Sequence, residues 1–243
     1  MRYVSTRDIG KNKKYVTASE AICRGLSDDG GLYVPEAMPT ITIDDLKRLS
    51  ALDYPERAAW VLSLFLDDFS HEELLTLCRE AYSEEKFKGG ADPVAKIKDS
   101  VYALELWHGP TCAFKDMALQ LMPRLFVSAM RKTGEERTAL ILVATSGDTG
   151  KAALEGYRDV DGVKITVFYP EYGVSDIQKL QMRTQGGSNV DVIAVKDGNF
   201  DDAQNGVKRI FSDPEAAARL DREGYFLSSA NSINWGRLAP QIA

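Results

Sequence analysis

The segment 138–144, Thr-Ala-Leu-Ile-Leu-Val-Ala, is a continuous apolar run of strand length. Its residues do not alternate between polar and apolar, so a strand formed here has no face suited to water. Such runs are typical of strands buried on both faces of a parallel sheet. The chain around this strand must therefore cover both sides of a sheet.

The apolar run belongs to a series of strand candidates that alternates with helical segments. The other strand candidates are 101–106, 163–169, 190–195 and 225–229. Helices fit between the strands from about Thr111 and at 150–158, 175–184 and 200–220. This alternation predicts an α/β fold with a mostly parallel, doubly wound sheet. Ligands of such sheets bind beyond the carboxyl ends of the strands, which points to the loops 107–116, 145–150, 170–175, 196–201 and 230–237.

Residues 1–97 have a different pattern and are predicted to form a mainly helical lobe. Apolar residues recur at helical spacing in 43–49, 58–65 and 72–81, and Ser70 with Glu73 forms a capping-box signature. Asp-Asp-Gly-Gly at 28–31 predicts a turn before a short apolar run. The glycine-rich stretch 88–93 indicates a boundary, so we divide the chain into 1–97 and an α/β domain, 98–243.

The composition excludes several classes of function. A net charge of -6 argues against a nucleic-acid surface, and the short basic stretch 11–14 is expected to be a solvated turn. The apolar runs are too short to cross a bilayer, and the start of the chain lacks the apolar core of a signal peptide. Three widely spaced cysteines and two histidines give no disulfide framework and no metal site. We expect a soluble cytoplasmic protein with a small-molecule ligand, no nucleic-acid or membrane partner and no metal.

The segment 108–116, His-Gly-Pro-Thr-Cys-Ala-Phe-Lys-Asp, places a lysine where a helix is predicted to begin. With Thr111 as N-cap, Lys115 lies in the first turn, at the positive end of the helix dipole. That setting suits an amine that must be unprotonated to attack a carbonyl carbon. A solvated lysine paired with Asp116 is the structural alternative that the spacing leaves open.

Two further loops combine glycines, hydroxyls and amides. Residues 144–150, Ala-Thr-Ser-Gly-Asp-Thr-Gly, link the apolar strand to a helix and form either an anion site or a plain turn. They match neither the dinucleotide-binding fingerprint nor the phosphate-binding P-loop. Residues 229–237 end in Arg237 and form either an anion-binding cluster or a hydrogen-bonded loop.

Taken together, these motifs resemble the threonine synthase family, in that family's order and over nearly the whole chain. The matching motifs lie at 19–21, 25–35, 108–116, 144–150, 178–182, 198–204 and 231–237. The resemblance implies pyridoxal 5'-phosphate as cofactor and O-phospho-L-homoserine as substrate, which reacts with water to give threonine and phosphate in the last step of threonine biosynthesis.

The resemblance also assigns individual residues. It implies that Lys115 is the catalytic residue, which binds the cofactor through its amine and then moves protons. Phe114 and Asp148 are implied to contact the cofactor, Asp148 beside the ring hydroxyl. The implied substrate-binding residues are Ser146, Gly147, Thr149, Asn234 and Arg237.

Two positions depart from the family pattern. Cys112 stands where an aliphatic residue is common, and Pro123 falls within the helix after Lys115, which should bend near Leu119. Residues 234–243 open a further helix. The loop that grips the cofactor phosphate and the group that meets the pyridine nitrogen are expected downstream of residue 243. We therefore expect an N-terminal portion of a longer protein, inactive by itself.

Three alternatives remain open at this point. Another enzyme of the same fold, such as a serine or threonine dehydratase or a cysteine synthase-like enzyme, would use the same lysine chemistry. A non-catalytic threonine-synthase-like fragment would keep the fold without the reaction. Phosphoryl transfer through residues 148–151 would need a magnesium-binding carboxylate set, which the sequence does not offer.

Overall fold

A computed structural model of the chain describes residues 1–10 and 13–243, so Lys11 and Asn12 of the basic stretch 11–14 lie outside the described residues. The chain begins with a short strand, β1 (Tyr3–Ser5), and a helix, α1 (Ala18–Arg24). After the predicted turn, β2 (Tyr33–Pro35) returns antiparallel to β1. The helical lobe thus contains a strand pair, because the predicted apolar run finds its partner near residue 4.

Three helices follow, each started by a side chain that accepts a backbone N–H. They are α2 (Ile43–Leu49), α3 (Tyr54–Ser63) and α4 (His71–Ala81), with Thr42, Asp53 and Ser70 as N-caps. The predicted helix 43–49 is confirmed, and the helix 72–81 starts one residue early. Helix α3 begins four residues before the predicted start, because Asp53 caps it and Pro55 fits its first turn.

The strand predicted at 101–106 is not part of the parallel sheet. Strands β3 (Val94–Lys98) and β4 (Val101–Leu104) form an antiparallel hairpin of their own, with a register shift between Lys96 and Lys98. A short apolar run cannot reveal whether its partner is local or distant, and here the tight connection at residues 99–100 makes the partner local. Apolar side chains of this hairpin remain more than half exposed, namely Val94, Ile97, Val101, Tyr102 and Leu104.

The parallel sheet itself is confirmed. Its strands are β5 (Thr138–Ala144), β6 (Val163–Pro170), β7 (Val190–Val195) and β8 (Tyr225–Ser228), in the order β7-β6-β5-β8 with every pair parallel. The accompanying helices are α5 (Asp116–Leu119), α6 (Met122–Thr133), α7 (Asp148–Tyr157), α8 (Asp176–Arg183), α9 (Phe200–Phe211), α10 (Pro214–Arg222) and α11 (Trp235–Leu238), and a 3-10 turn covers Ala239–Gln241.

Two prolines, Pro123 and Pro214, each lie in the first turn of a new helix. The predicted helix 200–220 is two helices, since Asp213 caps α10 and Pro214 occupies its first turn. The bend predicted near Leu119 is confirmed: α5 ends there, and α6 begins at Met122 with Pro123 in its first turn. Neither proline then removes a hydrogen bond from a helix interior.

Helices cover both faces of the sheet, as the apolar run of β5 requires. Ile141 and Val143 point into the main core, whereas Leu142 and Ala144 pack with Ala203 and Val207 of α9 on the other face. The main core continues into the N-terminal lobe and contains residues of α1, α3 and α4. The division at residues 97 and 98 stays a prediction. In the described ranges no helix combines the length and apolarity needed to span a bilayer.

Candidate active site

The loop before α5 is folded around a buried carboxylate. Asp116 is fully buried; its Oδ2 accepts the backbone N–H of Thr111 at 2.8 Å, and its Oδ1 accepts the Thr111 hydroxyl at 2.7 Å. Burial raises the pKa of Asp116, although these hydrogen bonds oppose the change. A Cβ at Gly109 would lie 2.6 Å from the Asp116 Cβ, so this close approach requires glycine. Thr111 therefore anchors the loop, and its prediction as the helix N-cap was wrong.

Lys115 immediately precedes the first residue of α5 and occupies its N-cap position, one position before the helix and not within its first turn as predicted. Its side chain is 19% exposed, and Nζ lies 3.5 Å from Asp148 Oδ2. The same Nζ lies 4.0 Å from the centroid of the Phe114 ring, which is itself half exposed. The structural alternative paired Lys115 with Asp116, but the carboxylate that meets Lys115 is Asp148, from the next strand–helix loop.

Asp148 is the first residue of α7 and collects three partners. Gln178 Nε2 donates to Asp148 Oδ1 at 2.7 Å, and Lys151 Nζ lies 3.4 Å from the same oxygen. Partial burial alone would raise the pKa of Asp148, but the Gln178 hydrogen bond and the charges of Lys151 and Lys115 hold it below its usual value. Asp148 is therefore an ionised acceptor beside the candidate catalytic amine.

The loop 145–150 is held by a hydroxyl that acts as a local cap. Thr145 Oγ1 accepts the backbone N–H of Gly147 at 3.0 Å and that of Gly150 at 2.9 Å. Gly147 has a φ of 142°, a region that only glycine adopts readily. Since the Gly147 N–H is engaged by Thr145, the Ser146 hydroxyl is the more exposed donor of this loop.

Arg237 and Asn234 approach the same edge of the sheet from α11. The Arg237 side chain is 5% exposed; Nη1 donates to Ala230 O at 2.9 Å, and Nη2 lies 3.5 Å from Thr149 Oγ1. Burial lowers the pKa of Arg237, and within the described residues its Nε has no hydrogen-bond partner. Asn234 is fully buried, and its Nδ2 donates to Ile22 O and Ser229 O, so this amide ties the loop to α1.

A cavity of about 1080 Å³ lies beside these residues. Ser146, Thr149 and Arg237 line it together with Lys208 and Phe200 of the helix on the far face. Lys115 and Asp148 do not line it. Ser146 and Thr149 therefore border the cavity, whereas Asp148, which lies between them in sequence, contacts Lys115 outside it.

Two residues of the arrangement escaped the sequence interpretation. Gln178 lay in the motif 178–182 but was given no role, and Lys151 was considered only as part of a phosphate-binding loop. Gln178 and Asp148 are 30 residues apart, so no local pattern indicates their contact. The helical spacing of Asp148 and Lys151, three residues apart, was the one available signal.

Two family models match the chain in succession. The model described as threonine synthase N terminus matches residues 2–82, and the model described as pyridoxal-phosphate dependent enzyme matches residues 91–241. The chain belongs to the pyridoxal-phosphate-dependent enzyme family. Membership of this pyridoxal-phosphate-dependent family confirms the cofactor class and the fold class that the sequence motifs implied.

The chain is similar to threonine synthases and to threonine synthase-like proteins. Threonine synthase of Pseudomonas aeruginosa is 39% identical over 243 residues, which cover 100% of this chain and 49% of the relative. Threonine synthase-like 1 of Homo sapiens is 39% identical over 254 residues, covering 99% of this chain and 34% of the relative. The chain thus spans about half the length of the first protein and about a third of the second.

Solved structures give the same picture. The chain matches a pyridoxal-phosphate-bound threonine synthase from Brucella melitensis with a TM-score of 0.85 and 40% identity, covering 100% of this chain and 50% of that one. Threonine synthase from yeast matches with a TM-score of 0.85 and 34% identity, covering 99% and 48%. The predicted resemblance to threonine synthases is confirmed.

Proposed function

We propose that this chain provides the cofactor-binding lysine of a threonine synthase, which converts O-phospho-L-homoserine and water to L-threonine and phosphate. The observation that carries the proposal is the position of Lys115. Lys115 is the residue before α5; its side chain is partly exposed, and its amine lies 3.5 Å from an ionised carboxylate on the neighbouring loop. A primary amine is needed because the cofactor's aldehyde carbon is bound by imine formation.

The residues around Lys115 fit pyridoxal phosphate. The Lys115 side chain is partly exposed, the Phe114 ring beside it is half exposed, and Asp148 Oδ2 can accept a hydrogen bond from a hydroxyl on the cofactor ring. When bound, the cofactor supplies the electron sink that lets protons leave the carbons next to the substrate's amino group. Lys115, whose amine faces this space, is the residue that would then carry those protons.

Substrate recognition is proposed for the other side of the loop 145–150. Ser146 and Thr149 offer hydroxyls to an anionic group, and Arg237 offers a guanidinium whose Nε is not otherwise engaged among the described residues. For Gly147 we propose a role in shaping the loop through its backbone conformation. The buried hydrogen bonds of Asn234 support an anchoring role for it and weaken the case for a direct substrate contact.

The match to a threonine synthase N terminus favours this activity over the dehydratase and cysteine synthase-like alternatives. A non-catalytic role is the second candidate, because the chain spans only about half the length of the Pseudomonas aeruginosa threonine synthase that it matches. We place the protein in the cytoplasm, where its free cysteines would stay reduced.

The lysine assignment is tested by trapping. The chain is incubated with pyridoxal phosphate, reduced with borohydride and digested, and the labelled peptide is identified. We expect the label on Lys115, loss of it in Lys115→Ala, and an unchanged label in Lys132→Ala, a lysine of α6 paired with Glu73. A label on another lysine would contradict the assignment.

The activity is tested by phosphate release from O-phospho-L-homoserine. We compare the 243-residue chain with the same residues joined to the second half of the Pseudomonas aeruginosa enzyme, which the chain does not cover. Phosphate and threonine in equal amounts are expected from the joined protein and not from the chain alone. Equal rates from both would show that the catalytic site is complete within these residues, and labelling without turnover in either would favour the non-catalytic role.

A further inference from the structure

Lys151 is a buried lysine that the proposed reaction does not use. It is the fourth residue of α7 and is 8% exposed as a whole residue. Lysines are rarely buried without a partner, and a cation in the first turn of a helix opposes the helix dipole. Its position therefore needs a compensating interaction, and Asp148, three residues before it, supplies the ion pair.

The two oxygens of Asp148 have different partners. Oδ1 lies 3.4 Å from Lys151 Nζ and accepts from Gln178 Nε2 at 2.7 Å, whereas Oδ2 lies 3.5 Å from Lys115 Nζ. We propose that Lys151 and Gln178 are positioning residues, which hold Oδ1 so that Oδ2 is presented to the catalytic amine of Lys115. Neither residue touches the reacting atoms; both act through Asp148.

The orientation of Gln178 is fixed by its own helix. Its Oε1 accepts the Ser175 backbone N–H at 3.4 Å and the Ser175 hydroxyl at 3.0 Å, completing the capping box of α8. Because a backbone N–H requires an acceptor, the amide oxygen must face Ser175, and the NH₂ group must face Asp148. The start of α8 is thereby connected to the carboxylate beside Lys115.

Charge is the second part of the inference, and it rests on the proposed function. Among the described residues, the charged groups in contact with Asp148 are Lys115 from the loop before α5 and Lys151 from α7; Lys151 in turn acts on the buried Asp116 of α5, and α8 supplies the neutral Gln178. When Lys115 commits its amine to the cofactor, Lys151 remains as the permanent counter-ion. Asp148 then stays ionised without help from the catalytic lysine.

The first experiment needs no cofactor. Carbon-13 carboxyl NMR of aspartate-labelled chain follows the titration of Asp148 in the parent protein and in Lys151→Met. We expect the pKa of Asp148 to rise by about 1 unit, because an opposite charge at this range lowers the pKa of a carboxylate by 1 to 3 units. Lys151→Arg should restore the titration of the parent protein, since it restores the charge.

Lys132→Met is the matched control, because it also removes an ion-paired lysine but lies on α6 beside Glu73. It should leave the Asp148 titration unchanged. Gln178→Met provides a second route if Lys151→Met does not fold, and it too should raise the pKa of Asp148. An unchanged titration in either folded variant would overturn the proposal.

A second readout separates this inference from the proposed function. With pyridoxal phosphate added, the pH dependence of the cofactor's absorbance should move in Lys151→Met in the same direction as the Asp148 titration. If no cofactor attaches to Lys115, the proposed function fails while the carboxyl titration still decides the role of Lys151. A shifted absorbance profile with an unshifted carboxyl titration would show that Lys151 acts on the cofactor directly, against the proposal.

Discussion

Gly147 is the residue on which the geometry of the loop 145–150 depends most directly. Its φ of 142° belongs to a region that other residues enter only at a cost, and a Cβ there would overlap the Gln178 amide. A Cβ at residue 147 would therefore strain the backbone and also displace Gln178 Nε2, which donates to Asp148. Glycine at this position thus maintains both the loop conformation and the hydrogen bond to Asp148.

We expect Gly147→Ala to lower the free energy of unfolding by about 1 to 3 kcal/mol, because alanine must adopt a glycine-only conformation. Urea denaturation followed by circular dichroism measures the change. Gly206→Ala is the control: it lies within α9, and outside its own stretch of helix backbone no atom of the described residues lies within 4 Å of its would-be Cβ. Alanine should therefore stabilise the helix by about 1 kcal/mol. Equal effects of the two substitutions would show that the Gly147 conformation is not strained for alanine.

At this scale the sequence predicted the chemistry better than the contacts. Lys115 is predicted from the resemblance of 108–116 to the threonine synthase family, because the spacing alone leaves open a solvated lysine paired with Asp116. The roles of Lys151 and Gln178 were missed, since each depends on a carboxylate whose position is set by the packing of α7 against α8. The sequence gives the type of each residue, but it does not indicate a contact between residues 30 positions apart.

Elements whose bounds are set by neighbouring residues were predicted well, and elements whose position depends on a pairing partner were not. The bounds of β5, β7 and α2 match the prediction residue by residue, because apolar runs and capping residues act within a few positions. The strand predicted at 101–106 was assigned to the wrong sheet: as β4 it pairs with β3, a strand that the sequence pattern did not predict. The apolar run of β4 suited a buried strand, yet five apolar side chains of the hairpin are more than half exposed.

This hairpin should open more readily than the rest of the chain. A two-stranded hairpin has little stability of its own, and exposed apolar side chains add none. We expect amide hydrogens of β3–β4 to exchange at least about 100-fold faster than those of β5, through local opening. Hydrogen exchange followed by NMR measures this, with β1–β2 as the control, an even shorter antiparallel pair in which Tyr3 and Val4 are buried. Protection of β3–β4 equal to that of β5 would contradict the expectation.

The whole molecule is built around a main core that crosses the predicted boundary at residues 97 and 98. Residues of α1 and α3 belong to it together with residues of α6 and the sheet. The ring centroid of Trp235 lies 5.4 Å from that of Tyr3 and 5.7 Å from that of Phe65, which brings β1 against α11. A domain that shares its core in this way is expected to unfold as one unit.

Leu125→Ala tests this, because Leu125 on α6 is fully buried. The loss of a buried leucine should cost about 2 to 5 kcal/mol. Trp fluorescence and far-ultraviolet circular dichroism should shift to the same lower urea concentration. Lys47→Ala, in an exposed ion pair of α2, should change the stability by less than about 0.5 kcal/mol. Separate transitions for the two probes would instead support independent units at 1–97 and 98–243.

The hydrogen bond from Asn234 to Ile22 joins residues 212 positions apart, and Ser228 reaches Cys23 across 205. Protein chains are synthesised from the N-terminus, and early segments begin to fold while later ones are still being made. Helix α1 is among the first elements to leave the ribosome. The donors to its Ile22 and Cys23 carbonyls are Asn234 and Ser228, which are synthesised about two hundred residues later. Until residues 228 and 234 have been synthesised, the nascent chain therefore lacks the donors that complete the core around α1.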